Sequence, residues 1–179
     1  MPLVRRETAR PAPKATDTVG ERPEELGAAL GETGDLRARE AILARLLAIA
    51  DDAAAAALAS HLRSEDAALR NACIEALQAM PAPALSVLSN LLADIDPDVR
   101  LLATEIARTQ PTETANRLLA CLVQGENHPN VVGAAVEVLA EVGTAEAVPA
   151  LKTARARFAD QGFLSMSIDT VLARIGSGR

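Results

Sequence analysis

Residues 94–107, DIDPDVRLLATEIA, carry the start signal of one helix and the pattern on which the whole fold depends. Asp96 stands directly before Pro97, and apolar residues then follow at helical spacing. An aspartate at the N-cap accepts the free amide hydrogens of the first turn, and a proline at the first helical position loses no hydrogen bond. The stretch therefore predicts a helix that begins at Pro97.

The same pattern returns along the chain with a period near 31 residues. The segments that align with residues 96–107 are DLRAREAILARL (35–46), DAALRNACIEAL (66–77), HPNVVGAAVEVL (128–139) and, more weakly, QGFLSMSIDTVLARIG (161–176). Between these segments lies a second column of leucines with the same period, namely Leu26, Leu58, Leu88, Leu118 and Leu151. Two independent columns with one period indicate a repeat protein.

Each repeat is predicted to be a pair of helices. The leading helices are expected near 24–32, 53–63, 83–93, 112–124 and 145–158, and the trailing helices near 36–50, 66–79, 97–109, 129–142 and 163–175. Neither helix of a pair can bury its apolar stripe alone, whereas stacked pairs can. The sequence therefore predicts an all-α fold, a right-handed α-solenoid of about five helix pairs, over residues 23–179.

Residues 1–22 differ in composition from the rest of the chain. They hold five basic and three acidic residues, whereas the remainder holds 13 basic and 21 acidic residues. The segment contains few large apolar side chains, so it cannot bury enough surface to offset the entropy lost on ordering. We therefore expect a largely disordered leader before the repeats.

The composition excludes several classes of function. The formal charge is −6, and the 179 residues include two Phe but no Trp or Tyr. A protein that binds nucleic-acid backbones would carry a basic face, which this acidic chain does not offer. Its apolar runs are too short for a membrane span, and its N-terminal residues contain no signal-peptide core. We expect a cytoplasmic protein that binds neither nucleic acid nor membranes.

The pattern DPDVRxxAxxxL, preceded by a leucine-rich helix, resembles the short HEAT repeats of the phycobilisome-lyase-like type. The resemblance covers about residues 24–176 and implies that the trailing helices line the inner, concave surface of the solenoid. Repeats of this type occur in scaffolds, chromophore lyases, hydroxylases and DNA glycosylases. The resemblance therefore predicts the fold, and the function has to be argued from particular residues.

Two columns of charged residues are predicted to form a structural ladder between repeats. The column members are Asp35 and Arg39, Asp66 and Arg70, and Asp96 and Arg100. In a HEAT-like stack each aspartate is expected to cap its own helix, and each arginine to reach a neighbouring cap or carbonyl. The fourth repeat replaces both members, with His128 and Val132, and we interpret this joint loss as a sign of pairing.

A third column consists of glutamates on the trailing helices. Glu75, Glu105 and Glu137 lie roughly 130° from the centre of the core stripe at 100° per residue, and should face the groove. The flanking positions predicted to be exposed are Asn71, Gln78, Leu101, Arg108 and Glu141. Two interpretations remain open. The column is either an ordinary solvated helix face or an acidic ridge that receives a basic or helical segment of a partner protein.

No residue cluster in the sequence indicates catalysis or a metal site. His61 and His128 are two repeats apart, and the paired His-Glu motifs of a metal-dependent hydroxylase are absent. A glycosylase would need aromatic side chains and a basic groove. Cys73 and Cys121 both fall within apolar helical patterns, so we expect two reduced core cysteines without a disulfide or a metal.

The two phenylalanines lie close together near the C-terminal end of the repeats. The last repeat must cover an apolar face that has no further neighbour. We therefore expect both Phe158 and Phe163 to pack against the final helix as a cap.

These observations favour a non-enzymatic protein-interaction scaffold, adaptor or assembly factor without a cofactor. Its partner would be a protein, with a basic or helical segment as the recognised feature. The alternative is a bilin-lyase-like enzyme that attaches a chromophore, which the family resemblance implies. Such an enzyme would need arginines to hold the propionates of a tetrapyrrole, and the chain has few aromatic residues to stack on its rings.

Overall fold

The computed structural model describes residues 22–177. Within this range the chain forms ten α-helices and no strand. Their bounds are α1 Pro23–Glu32, α2 Leu36–Ile49, α3 Asp52–Ala59, α4 Ala67–Ala79, α5 Pro81–Leu92, α6 Pro97–Ala107, α7 Thr112–Gly125, α8 Pro129–Val142, α9 Val148–Arg157 and α10 Gly162–Gly176. Short 3₁₀ turns extend α3 through Ser60–Arg63 and precede α9 at Ala145–Ala147. Residues 1–21 of the predicted leader lie outside the described residues.

The helices stack as consecutive antiparallel pairs in two layers. In the layer of trailing helices α2 packs on α4, α4 on α6, α6 on α8, and α8 on α10. In the layer of leading helices α1 packs on α3, α3 on α5, and α7 on α9. The predicted all-α solenoid of five helix pairs is confirmed.

The core is aliphatic and lies between the two layers. Leucines of the leading column are fully buried in three of the repeats, at Leu58, Leu88 and Leu151. Side chains such as Leu77 and Ile106 meet them from the trailing helices. Ala and Val fill many of the remaining positions, so the helices approach one another closely, and Phe158 is an aromatic exception in this core.

One leading helix has a different register from the one that the sequence indicates. In α7 the buried residues include Leu119 and Val123, whereas the column residue Leu118 is only half-buried. This register also corrects the interpretation of Cys121. It lies two positions after Leu119, about 200° around the helix, and is exposed. Cys73 is buried as predicted, and its burial raises the pKa of its thiol to about 12.

The two phenylalanines, both predicted to pack against the final helix, differ in burial. Phe158 follows the last residue of α9 and is buried in the core. The guanidinium carbon of Arg157 lies over its ring, 5.8 Å from the ring centre. Phe163 is 82% exposed, so its predicted role in the cap is wrong. It stands in the first turn of α10, beside Gly162, and the core-facing stripe of this helix begins one residue later at Leu164.

Candidate functional site

Two members of the predicted glutamate column, Glu105 and Glu137, meet one arginine at the end of a trailing helix. Arg108, at the end of α6, donates from Nε to Glu105 Oε2 at 3.2 Å and also hydrogen-bonds Glu141 of α8. Its Nη2 lies 3.9 Å from Glu137 Oε1. The hydrogen bond to Glu105 is the largest cause of the raised pKa of Arg108, and burial opposes it only in part. Three carboxylates therefore share one positive charge.

The carboxylates around Arg108 remain open to solvent. The side chain of Glu137 is 73% exposed, and that of Glu141 is also exposed. Glu75 of α4 is exposed and makes no ion pair with any described residue. We call this region the acidic surface and define it by Asn71, Glu75, Gln78, Glu105, Arg108, Glu137 and Glu141. The sequence predicted Arg108 only as a flanking residue of this surface. Arg108 stands three residues after Glu105, a spacing at which two side chains of one helix can pair.

Three flanking residues differ from the prediction of exposed side chains. Arg108 is half-buried, with 25% of its side chain exposed. Gln78 is half-buried because its Nε2 donates to the backbone oxygen of Glu105 at 2.8 Å, which links α4 to α6. Leu101 is half-buried as well, whereas Asn71 is exposed as predicted. The amide of Gln78 therefore has a structural bond, and the carboxylates carry the open part of the acidic surface.

The aspartates of the predicted ladder lie at the starts of their own helices. Asp35 accepts a hydrogen bond from the amide of Arg37 (3.2 Å), and Asp96 accepts one from Asp98 (2.9 Å). Asp66 accepts from two amides at the start of α4. The amide of Leu69, followed by the guanidinium of Arg39, lowers the pKa of Asp66.

The arginines of the ladder all reach the carbonyl six residues earlier in the chain. The pairs are Arg39 with Thr33 (3.2 Å), Arg70 with Ser64 (2.6 Å) and Arg100 with Asp94 (2.7 Å). Arg39 also joins the next repeat, since its Nη1 lies 2.9 Å from Asp66 Oδ2. Arg70 makes no such ion pair with a described residue, so the expected contact along the stack is missing at this step.

The ladder continues into the fourth repeat through a residue outside the predicted column. Arg100 holds Glu126 with two hydrogen bonds, from Nε at 2.6 Å and from Nη2 at 3.0 Å. Glu126 stands two residues before His128, in the turn between α7 and α8, and its side chain is only 6% exposed. The joint replacement at His128 and Val132 therefore does not end the ladder. A carboxylate in the turn replaces the missing aspartate.

Glu126 is ionised in a mostly buried position. Burial by itself opposes its charge, but the hydrogen bonds from Arg100 and from the amides of His128 (2.7 Å) and Asn127 (2.8 Å) outweigh it. The pKa of Glu126 therefore lies below its ordinary value. This pair links α6 to the start of α8 and has a structural role.

Further polar contacts, which the sequence did not predict, join the last two repeats to neighbouring segments. Arg157 donates to the carbonyls of Val123 (3.2 Å) and Glu126 (2.7 Å) at the end of α7. Arg174 donates to the carbonyl of Gly143 at 2.7 Å, just beyond α8. The buried Asn116 accepts a hydrogen bond from the amide of Thr144. Each contact satisfies a turn or a helix end in a neighbouring segment and therefore holds adjacent elements together.

A groove of about 880 Å³ lies between α8 and α10. Its walls are mostly apolar or small residues, among them Gly133, Ala134, Ala140, Phe163, Leu164 and Val171. Glu137 is the one charged residue among the described residues that line it. The groove therefore adjoins the acidic surface and shares Glu137 with it.

Comparison with known proteins agrees with this architecture. Residues 85–161 match the model of a family described as HEAT repeats. The matched region runs from within α5 to the turn before α10, and it includes Arg100, Arg108 and Glu126. No curated protein matches the chain.

Two further observations bear on the kind of site. Across residues 22–177, no three or more His, Cys, Asp or Glu side chains are grouped so that they could hold a metal ion. In the same part of the chain, no helix combines the length and the apolar character that crossing a membrane requires.

Proposed function

We propose that the chain is a non-enzymatic protein-interaction scaffold whose acidic surface binds a basic segment of a partner protein. The observation that carries the proposal is the sharing of Arg108 among Glu105, Glu137 and Glu141. With three carboxylates and one guanidinium, this cluster keeps two net negative charges. Repeat proteins with stacked helix pairs commonly use such extended surfaces to bind other proteins.

The dimensions of the surface suit an extended or helical segment. Trailing helices in such a stack lie about 10 Å apart, so the glutamates from Glu75 to Glu137 extend over roughly 20 Å. That length equals about four turns of a bound helix. Like charges at this spacing repel only weakly at cellular salt, because the separation is close to the Debye length of about 8 Å. The surface can therefore remain charged until a basic partner binds.

The lyase-like alternative receives less support from the side chains. A tetrapyrrole carries anionic propionates, which a binding site usually holds with arginines or lysines. Neither residue type occurs among the described residues that line the groove between α8 and α10, and Glu137 would repel the propionates. A titration with a linear tetrapyrrole is expected to give no saturable red shift of its absorbance.

The proposal is tested with Glu75→Gln, Glu105→Gln and Glu137→Gln combined in one variant. The control variant combines Asp52→Asn, Glu113→Gln and Asp160→Asn, which removes the same charge from exposed positions on the leading helices and turns. Each protein is titrated with a fluorescent lysine-rich peptide at two salt concentrations. Because steering charges act through association, we expect binding to the first variant to be about tenfold weaker and less sensitive to salt. Equal affinities and salt slopes for both variants would contradict the proposal.

A further inference from the structure

The groove between α8 and α10 lies at a junction where α8 lacks a bridging side chain that the two preceding trailing helices have. Gln78, Arg108 and Ala140 occupy equivalent positions at the C-terminal ends of α4, α6 and α8, twelve residues after Asp66, Asp96 and His128. Gln78 bonds to α6 through the carbonyl of Glu105, and Arg108 bonds to α8 through Glu141. The methyl group of Ala140 cannot bridge to α10 in this way. At this end of the helices, α8 therefore has no side chain that spans the crevice to α10. A smaller pocket of about 340 Å³ also lies between the starts of α4 and α6, but charged residues such as Arg70 and Asp98 line it.

Gly133 widens the same groove at a position where the fold does not require glycine. It lies inside α8, where α6 has Leu101 at the equivalent position. A Cβ atom added at Gly133 would meet no atom within 4 Å. Glycine is among the least favourable residues in a helix interior, so internal packing gives no reason for it. Its lack of a side chain does allow another backbone to approach α8 closely.

The shape and chemistry of the groove suit a helix with one apolar face. The lining of α8 from Asn130 to Ala140 is about 15 Å long, which is roughly three helical turns. The opposite wall presents Phe163, which is 82% exposed, and the neighbouring Met166 is 60% exposed. Exposed apolar side chains of this size beside a concave surface are typical of interaction sites.

We infer that this groove binds an amphipathic helix of a partner protein, with apolar residues against α8 and α10 and lysine or arginine beside Glu137. Charge complementarity selects this occupant, since Glu137 is highly exposed and the acidic surface continues from it across α8 and α6. Apolar anchors at helical spacing are the general mode by which an amphipathic helix binds in a groove. This inference rests on the proposed function and assigns the helical part of the partner to one junction.

The test uses the full chain and two labelled synthetic peptides of about 18 residues, or five helical turns. Both peptides carry leucines at helical spacing, and their remaining positions are lysine in one and glutamate in the other. Gly133→Leu fills the groove, and Ala140→Leu is a second variant should the first fail to fold. Gly125→Leu is the matched control, because its added Cβ also meets no atom within 4 Å and it lies outside the groove.

We expect the wild-type chain to bind the lysine peptide at least about tenfold more tightly than the glutamate peptide. Gly133→Leu should weaken binding of the lysine peptide by a similar factor, whereas Gly125→Leu should leave it unchanged. A photo-crosslinking amino acid at position 167, which lines the groove, should capture the lysine peptide. Capture of a second copy of the chain, or of residues 1–21, would overturn the inference by assigning the groove to another occupant.

Three other results would also overturn it. These are equal peptide affinities for Gly133→Leu and Gly125→Leu, equal binding of both peptides, and no binding of the lysine peptide. Failure of the proposed function can be told apart from failure of the groove. If the triple glutamine variant loses binding while Gly133→Leu keeps it, the acidic surface stands and the groove is excluded.

Discussion

The junction between α6 and α8 and the junction between α8 and α10 join equivalent helices, yet one is closed and the other is open. At the first, Arg108 bonds to Glu141 at the C-terminal ends of the two helices, and Arg100 holds Glu126 at their N-terminal ends. At the second, Ala140 stands in the column of Arg108, and a groove of about 880 Å³ remains. The two junctions have the same helical architecture, so the difference lies in a few side chains.

The comparison shows how a repeat protein can be stable along its whole length and still provide one binding site. The core leucines recur at every step and hold the stack together. The surface positions are free to differ, because the core does not depend on them. A long charged residue there links two repeats, whereas a small residue leaves room for a partner.

The largest expected effect concerns the closed junction. Arg100→Ala leaves the carboxylate of Glu126 mostly buried without its guanidinium partner, which should lower the free energy of unfolding by about 2 to 3 kcal/mol. Arg108→Ala removes more exposed contacts and should cost less than about 1 kcal/mol. Thermal unfolding of the two variants measures the difference. Equal shifts in Tm would show that the buried pair does not hold this junction together.

A smaller effect is expected from acid. Because the pKa of Glu126 is lowered in the folded state, its stabilisation is present above the pKa of the unfolded chain and is lost as pH falls through the folded pKa. Glu126→Gln should cost about 1 to 2 kcal/mol near pH 6, and the gap to wild type should shrink toward about pH 3. Urea unfolding of both proteins between about pH 3 and pH 6 measures this gap, and Glu113→Gln, at an exposed position, is the control. A gap independent of pH would refute the ionised pair.

The smallest effect concerns the open junction. Gly133→Ala should raise the free energy of unfolding by about 0.5 to 1 kcal/mol, because the added methyl group meets no neighbour and alanine favours the helix. Gly27→Ala is the opposite case, since its Cβ would lie 3.0 Å from the Cβ of Ala57, and it should destabilise the chain. Urea unfolding of both variants should show a higher free energy of unfolding for Gly133→Ala and a lower one for Gly27→Ala. Destabilisation by Gly133→Ala would mean that packing within the chain requires this glycine.

Local sequence signals determined much of the fold. The period near 31 residues predicted five helix pairs, and the aspartates before α2, α4 and α6 marked the starts of those helices. These signals act within one or two turns of a helix, where the geometry of an N-cap or an apolar stripe is the same in every protein. The glutamate column was likewise visible, because it depends only on the angle between residues of one helix.

Contacts between repeats were decided by the tertiary structure. Glu126 lies outside the aspartate column, and it became a partner of Arg100 only because the turn before α8 brings it against α6. The register of α7, which exposes Cys121, depends on how that helix packs between its neighbours. The groove at Gly133 and Ala140 likewise needs residues of both α8 and α10, which lie side by side only in the folded chain. The sequence determined most of the positions that face outward, whereas the packing of neighbouring helices decided the exceptions, such as Cys121, and which outward side chains meet.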